Sequence, residues 1–163
     1  MKSLPILVSL LVGSGMVVGQ EGDDLAGTLS PLGPPVDPPV RVDAGPTCVV
    51  DLTQRYEVRG DLTGRMEIDF RILVQGPCGS PAGTDDEEWI AHGDFEGNLD
   101  GEPVSGSFAY TAQVRSGGEV DGRMVFGDGL DGELTIGGKF SDGELRYSGV
   151  LERAAEGMGW PSG

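Results

Sequence analysis

From Cys48 to Glu152 the sequence alternates apolar and polar residues with a period of two, almost without interruption. A strand turns successive side chains to opposite faces, so this pattern describes a sheet with one buried and one solvated face. In the first stretch Val50, Leu52, Gln54, Tyr56 and Val58 share a face. In the second, the apolar face runs from Leu62 to Val74, opposite Thr63, Arg65, Glu67, Asp69 and Arg71. The pattern continues through Trp89–Leu99, Val104–Val114, Val120–Phe126, Leu130–Phe140 and Leu145–Leu151. That makes seven strands, or eight if the third stretch breaks at Gly93.

Between these stretches stand Arg59-Gly60-Asp61, Asp100-Gly101-Glu102, Ser116-Gly117-Gly118, Asp128-Gly129 and Ser141-Asp142-Gly143. Gly and Asp adopt positive φ at small steric cost, so these are tight hairpin turns. Strands joined by short turns without helices form an antiparallel meander. A long meander with one apolar face avoids exposed edges by closing on itself. Glycines recur on the apolar face, among them Gly64, Gly93, Gly106, Gly122 and Gly132. A strand glycine marks a bend or a close approach, which suits a strongly coiled barrel. The expected fold is all-β, an antiparallel up-and-down barrel of seven or eight strands, with an open sandwich as the alternative.

The first 46 residues read differently. Lys2 precedes an apolar run from Leu4 to Val12, and Val17-Val18-Gly19 precedes a cut near Gln20, the pattern of a signal peptide over residues 1–19. The run is too short and too broken by Gly13, Ser14 and Gly15 for a membrane span, although an uncleaved anchor is the competing reading. Residues 20–46 hold Pro31, Pro34, Pro35, Pro38, Pro39 and Pro46 without apolar periodicity, and read as a disordered Pro/Gly-rich linker. The barrel is expected over 47–152, followed by a flexible tail, 153–163, in which Trp160 could dock. The expected location is secreted or periplasmic.

Export fits the cysteines. Cys48 and Cys78 are the only two, and in an oxidising compartment they read as a disulfide. Such a bridge would close a loop of about 30 residues and contribute roughly 3–4 kcal/mol. A zinc site fails on ligand number, since His92 is the sole histidine. The formal net charge is −16, and beyond Lys2 the only lysine is Lys139. A field of that sign repels nucleic acid and anionic membrane surfaces, so neither is an expected partner.

No catalytic constellation emerges. His92 falls on the outward, charged face with Asp94, and nothing marks a serine beside them. Asp85-Asp86-Glu87-Glu88 and the turn acids Asp128 and Asp131 offer oxygen ligands for Ca²⁺ but match no calcium-binding spacing, so no metal or other cofactor is expected. Arg59-Gly60-Asp61 spells a tripeptide known from cell adhesion, and it is also ordinary turn chemistry. The inward face carries no Asp, Glu, His, Lys or Arg. Its polar atoms belong to Gln54, Tyr56, Trp89, Tyr110 and Tyr147, four aromatics and an amide that could hold a small apolar ligand through one or two hydrogen bonds. A fully packed core is the alternative.

The run Gly93-Asp94-Phe95-Glu96-Gly97-Asn98-Leu99-Asp100-Gly101 leads to Gly106-Ser107-Phe108, and Met124-Val125-Phe126-Gly127-Asp128-Gly129-Leu130-Asp131-Gly132-Glu133-Leu134 follows. Together they resemble the strand pattern of the allene-oxide-cyclase-like barrel proteins, including small bacterial members. The resemblance covers about residues 50–152, and Asp131 departs from the small hydroxyl residue usual in that family. It implies an eight-stranded barrel with an apolar cavity, in some members used to cyclise or isomerise a hydrophobic substrate. Three functions are therefore expected in turn: an exported barrel binding a small hydrophobic ligand, a cyclase or isomerase acting on such a molecule, and a non-enzymatic envelope or surface module. The lack of inward charged groups argues against the enzyme. The sequence leaves oligomeric state open.

Overall fold

A computed structural model describes residues 24–155. It contains nine strands: β1 (Leu25–Pro31), β2 (Val40–Ala44), β3 (Thr47–Gly60), β4 (Leu62–Val74), β5 (Glu87–Leu99), β6 (Glu102–Arg115), β7 (Glu119–Gly127), β8 (Leu130–Lys139) and β9 (Leu145–Arg153). All pairings are antiparallel, in the order β1-β9-β8-β7-β6-β5-β4-β3, and β1 also pairs with β3. Eight strands thus close into a barrel. β2 stands outside the ring and, among the described residues, pairs only with β3.

The seven strands expected from the alternation are present, and most of their inward residues are buried, with Leu52, Ile72, Val74 and Val104 half-buried. Met66, Ile68, Phe95, Tyr110, Met124, Leu134 and Ile136 are all at most 1% exposed. The expected turns fall between consecutive strands, with Asp100 and Asp128 at φ 54° and 52°. The third stretch does not break at Gly93, because β5 runs unbroken from Glu87 to Leu99.

The eighth strand comes from elsewhere, and it corrects the reading of residues 20–46 as a disordered linker. From Leu25 to Ala44 the chain runs along a single edge of β3. β1 pairs with its Tyr56–Gly60 half and β2 with its Thr47–Asp51 half. Pro31 lies opposite Tyr56 and Val40 opposite Asp51, so residues 32–39 bulge out against the shorter segment 52–55. Proline lacks an N–H and cannot sustain a ladder, so the prolines gather in that bulge. Leu32 N and Val36 N, which can donate, bond to the carbonyls of Arg55 and Thr53 at 2.8 and 2.9 Å. The prolines hid two short strands from a reading based on periodicity.

Following paired residues round the ring gives its stagger. Val50 leads through Ile72, Trp89, Ala112, Gly122, Ile136, Tyr147 and Gly27 back to β3 at Gly60, ten residues along from the start. Such a shear tilts the strands by roughly 35–45° and leaves an interior just wide enough for side chains or one small ligand. Aromatic rings occupy much of it. A Cβ on Gly122 would meet the Tyr110 ring at 2.7 Å, so that glycine is the space the ring uses.

At the C-terminal end Ala154 N still bonds Gly129 O at 3.1 Å. The expected signal peptide, residues 1–19, lies outside the described residues, as do positions 156–163 with Trp160.

Candidate functional site

The barrel has two unlike ends. At one end lie the β3–β4, β5–β6 and β7–β8 turns, with Leu62 and Leu130 fully buried behind them. Tyr147, from β9, reaches across β1 to this end. Its hydroxyl accepts from Leu62 N at 2.9 Å and donates to Arg59 O at 3.0 Å. β1 permits this because Gly27 has no side chain; a Cβ there would fall 2.3 Å from the Tyr147 hydroxyl and 2.0 Å from Arg59 O. Asp61 fixes the end of β1, accepting from Ala26 N at 2.8 Å while its own N donates to Ala26 O at 3.0 Å. Tyr147 thus spans the seam. Within Arg59-Gly60-Asp61, the Asp61 carboxylate is engaged with β1 and Arg59 pairs with Glu57 at 2.9 Å.

At the opposite end the loops are longer. Cys48, at the start of β3, is bonded to Cys78 in the β4–β5 loop, with Cα atoms 5.0 Å apart. The bridge ties that loop to β3, as the pairing of β3 with β4 requires. The loop then bonds to the β6–β7 turn: Gly117 N to Gly83 O at 2.8 Å, Ser116 Oγ to Thr84 O at 3.0 Å, and Ser116 N to Asp86 Oδ1 at 2.7 Å. The β6–β7 turn in turn accepts from Phe140 N through Gly118 O at 3.2 Å. Three loops form one hydrogen-bonded rim.

Between this rim and β2 lies a cleft of about 220 Å³. Val50, Leu52, Ile72, Val74, Trp89 and Phe140 give it apolar walls, the Pro77–Ala82 segment one side, and Arg41 and Glu87 its charges. Trp89 belongs to a ring cluster: Phe70 at 5.4 Å and Tyr110 at 6.2 Å meet it edge-on, and Phe140 lies 6.3 Å away. Tyr56 joins through Phe70 at 6.4 Å.

The five polar inward residues therefore separate. Trp89 lines the cleft and donates its indole N–H to Glu87 at 2.7 Å. Tyr56 and Tyr110 lie in the ring cluster. Tyr110 is 1% exposed, and its hydroxyl has no hydrogen-bond partner among the described residues. Burial pushes the Tyr56 hydroxyl up to about 12 and raises that of Tyr110 further, with help from Tyr56 itself. Gln54 is turned to the bulge, donating to Gly33 O at 3.1 Å and Arg55 O at 2.9 Å. Tyr147 belongs to the opposite end. Arg41 and Phe140 were not singled out in the sequence: Arg41 sat among prolines, and Phe140 counted only as one more inward residue. The alternation Val40-Arg41-Val42-Asp43 was the available signal.

The remaining candidates serve the scaffold. His92 is outward and pairs with Asp69 at 3.4 Å rather than with Asp94, which accepts from Ser107 at 2.8 Å. Asp69 also accepts from Thr53, so the carboxylate lies between hydroxyl and imidazole, the wrong order for a nucleophile activated by histidine. In the acidic run, Asp86 and Glu87 bond Ser116 and Trp89. Among the described residues no three His, Cys, Asp or Glu side chains are grouped to hold a metal ion, and no helix is long and apolar enough to cross a membrane. Compared with known proteins, the chain matches no family model and no curated sequence.

Proposed function

We propose that this protein is an exported barrel that binds a compact apolar molecule in the cleft at its disulfide-bonded end. One observation carries the reading: the apolar cleft of about 220 Å³ lies over Trp89 and is walled by a covalently tethered loop. Ligand sites are concave, mostly apolar and furnished with a few polar groups. Here those groups are Arg41 and Glu87 at the rim. The volume lies below the several hundred Å³ usual for drug-sized ligands, which points to a small molecule. Loss of rim contacts on reduction would couple binding to an oxidising compartment, in keeping with export. Kinship with the allene-oxide-cyclase-like barrels forms part of the same proposal, supported by the eight-stranded ring. Cyclase or isomerase chemistry is the weaker reading. A Tyr56 hydroxyl held near 12 remains protonated at neutral pH and can donate a hydrogen bond but not take a proton.

The test is a titration with anilinonaphthalene sulfonate alongside native mass spectrometry after incubation with a lipid extract. Saturable binding at one site is expected, lost in Ile72→Arg, which places a charge on the cleft wall without touching the seam. Absence of saturable binding, or binding unchanged in a folded Ile72→Arg variant, would overturn the proposal.

A further inference from the structure

Among the described residues β2 is the one strand outside the ring, and its second edge has no partner there. All five of its residues are exposed. Val40 and Val42 are 60% and 55% exposed, more than any other large apolar side chain among the described residues. They share the outward face, since Arg41 and Asp43 pair with the inward Val50 and Cys48. A free edge is a row of unused N–H and C=O groups that templates another strand. Edges are commonly protected by like charges, which repel a copy of themselves. This edge carries the opposite arrangement.

We infer that β2 is a self-association edge, pairing antiparallel with β2 of a second copy across a two-fold axis through Val42. The sequence Val40-Arg41-Val42-Asp43-Ala44 is self-complementary in that register. Val42 faces its own copy, Val40 faces Ala44, and each Arg41 faces an Asp43, twice over. Among the described residues neither Arg41 nor Asp43 forms an ion pair within its own chain. An isologous contact demands this symmetry, in which residue i meets j and j meets i. A slip by one residue would set Arg41 against Val42 and turn the valines to the wrong face, so the register is specified. Facing opposite charges and facing β-branched side chains are the pairs that stabilise a two-stranded ladder. The pairing joins two barrels edge to edge and covers the exposed valines. The Arg41–Asp43 pairs then lie on the mouth side, beside the clefts.

The net charge of −16 on each copy opposes association. At physiological ionic strength the screening length is about 8 Å, so the contact charges count for more than the distant ones. A five-residue ladder buries less than the roughly 1,000 Å² of a stable interface, so a weak dimer results, populated at about 0.1–1 mM.

Sedimentation equilibrium up to about 1 mM tests this, with far-ultraviolet circular dichroism checking the fold of each variant. The wild-type chain should dimerise. Arg41→Asp sets Asp against Asp and Asp43→Arg sets Arg against Arg, so each alone should be monomeric. An equimolar mixture of the two should recover a heterodimer, because every facing pair again carries opposite charge. A general loss of solubility or structure could not produce that rescue. A wild-type chain that stays monomeric at about 1 mM overturns the proposal. So does a dimer that either single variant leaves intact, or a mixture that fails to associate.

Discussion

The two ends of the barrel solve the same problem by different means. At the Tyr147 end, closure is made by backbone and one phenol: β1 lies between β3 and β9, Tyr147 bonds across it, and Leu62 and Leu130 are fully buried behind the turns. At the Cys48 end, β3 carries β2 instead of a ring strand, and closure depends on a disulfide and three linked loops. The first end is tightly closed by its turns, with Leu62 and Leu130 fully buried. The second retains a cleft. Short turns let neighbouring strands pack to their tips, whereas the longer β4–β5 loop must arch over the mouth, and the arch leaves space beneath it. In this molecule, the cleft over Trp89 arises where closure is left to loops.

The comparison breaks most sharply at Gly27. In Gly27→Ala the new methyl would sit 2.0 Å from Arg59 O and 2.5 Å from the Tyr147 ring. Neither the backbone of β3 nor the bonded phenol can yield cheaply. The seam should open at a cost of about 4 kcal/mol, among the larger effects of single substitutions. Urea denaturation should show it as a lower midpoint. An unchanged midpoint would mean that Tyr147 does not hold the seam.

At the other end, reducing Cys48–Cys78 frees a loop of separation 30. The stabilisation lost is roughly 3 kcal/mol, mainly through the unfolded state. The melting temperature should fall while the β-sheet circular dichroism at room temperature stays intact, because the ring closes without the bridge. If reduction instead abolishes the β signal at room temperature, the Tyr147 end cannot sustain the barrel alone.

The smallest effect vanishes at neutral pH. All three tyrosines are raised above their ordinary value, chiefly by burial: Tyr56 to about 12, Tyr110 further, and Tyr147 by burial against a lowering bond from Leu62 N. A hydroxyl whose folded value exceeds its unfolded value binds its proton more tightly in the folded state. For Tyr56 that contribution is complete below about pH 10 and lost as pH rises through about 12. Stability should therefore fall above pH 10, with tyrosinate absorbance and loss of circular dichroism rising together. Tyrosine ionisation that precedes unfolding would show the interior to be wet. If Tyr147 ionises first, the sealed end is the more open of the two.

The inward and outward faces of β3 to β9, the hairpin turns and the cysteine pair could be read without coordinates. Each follows from local rules: period two sets the faces, Gly and Asp set the turns, and a meander brings Cys48 and Cys78 to the same end. Of the residues proposed for a site, Trp89 lies in the cleft and Tyr56 and Tyr110 lie in the rings behind it. Gln54 and Tyr147 do not join them, although the same alternation marks all five. Period two gives the face of a strand but not the level along the barrel axis, and a shear of ten residues separates residues that share a face.

What tertiary structure alone decided is how the ring closes. Leu25, Gly27 and Leu29 alternate inward, but the stretch is short and ends at Pro31. Nothing local tells such a segment from a linker, because its hydrogen bonds go to β3 and β9, which follow it in the chain. The same holds for β2, whose single partner among the described residues is β3. A strand that is extended only because its neighbours bond it carries little intrinsic signal, since β preference reflects packing and pairing more than the backbone of the residue itself. Alternation determined the wall of this barrel, and pairing across the sequence determined its seam, its cleft and its free edge.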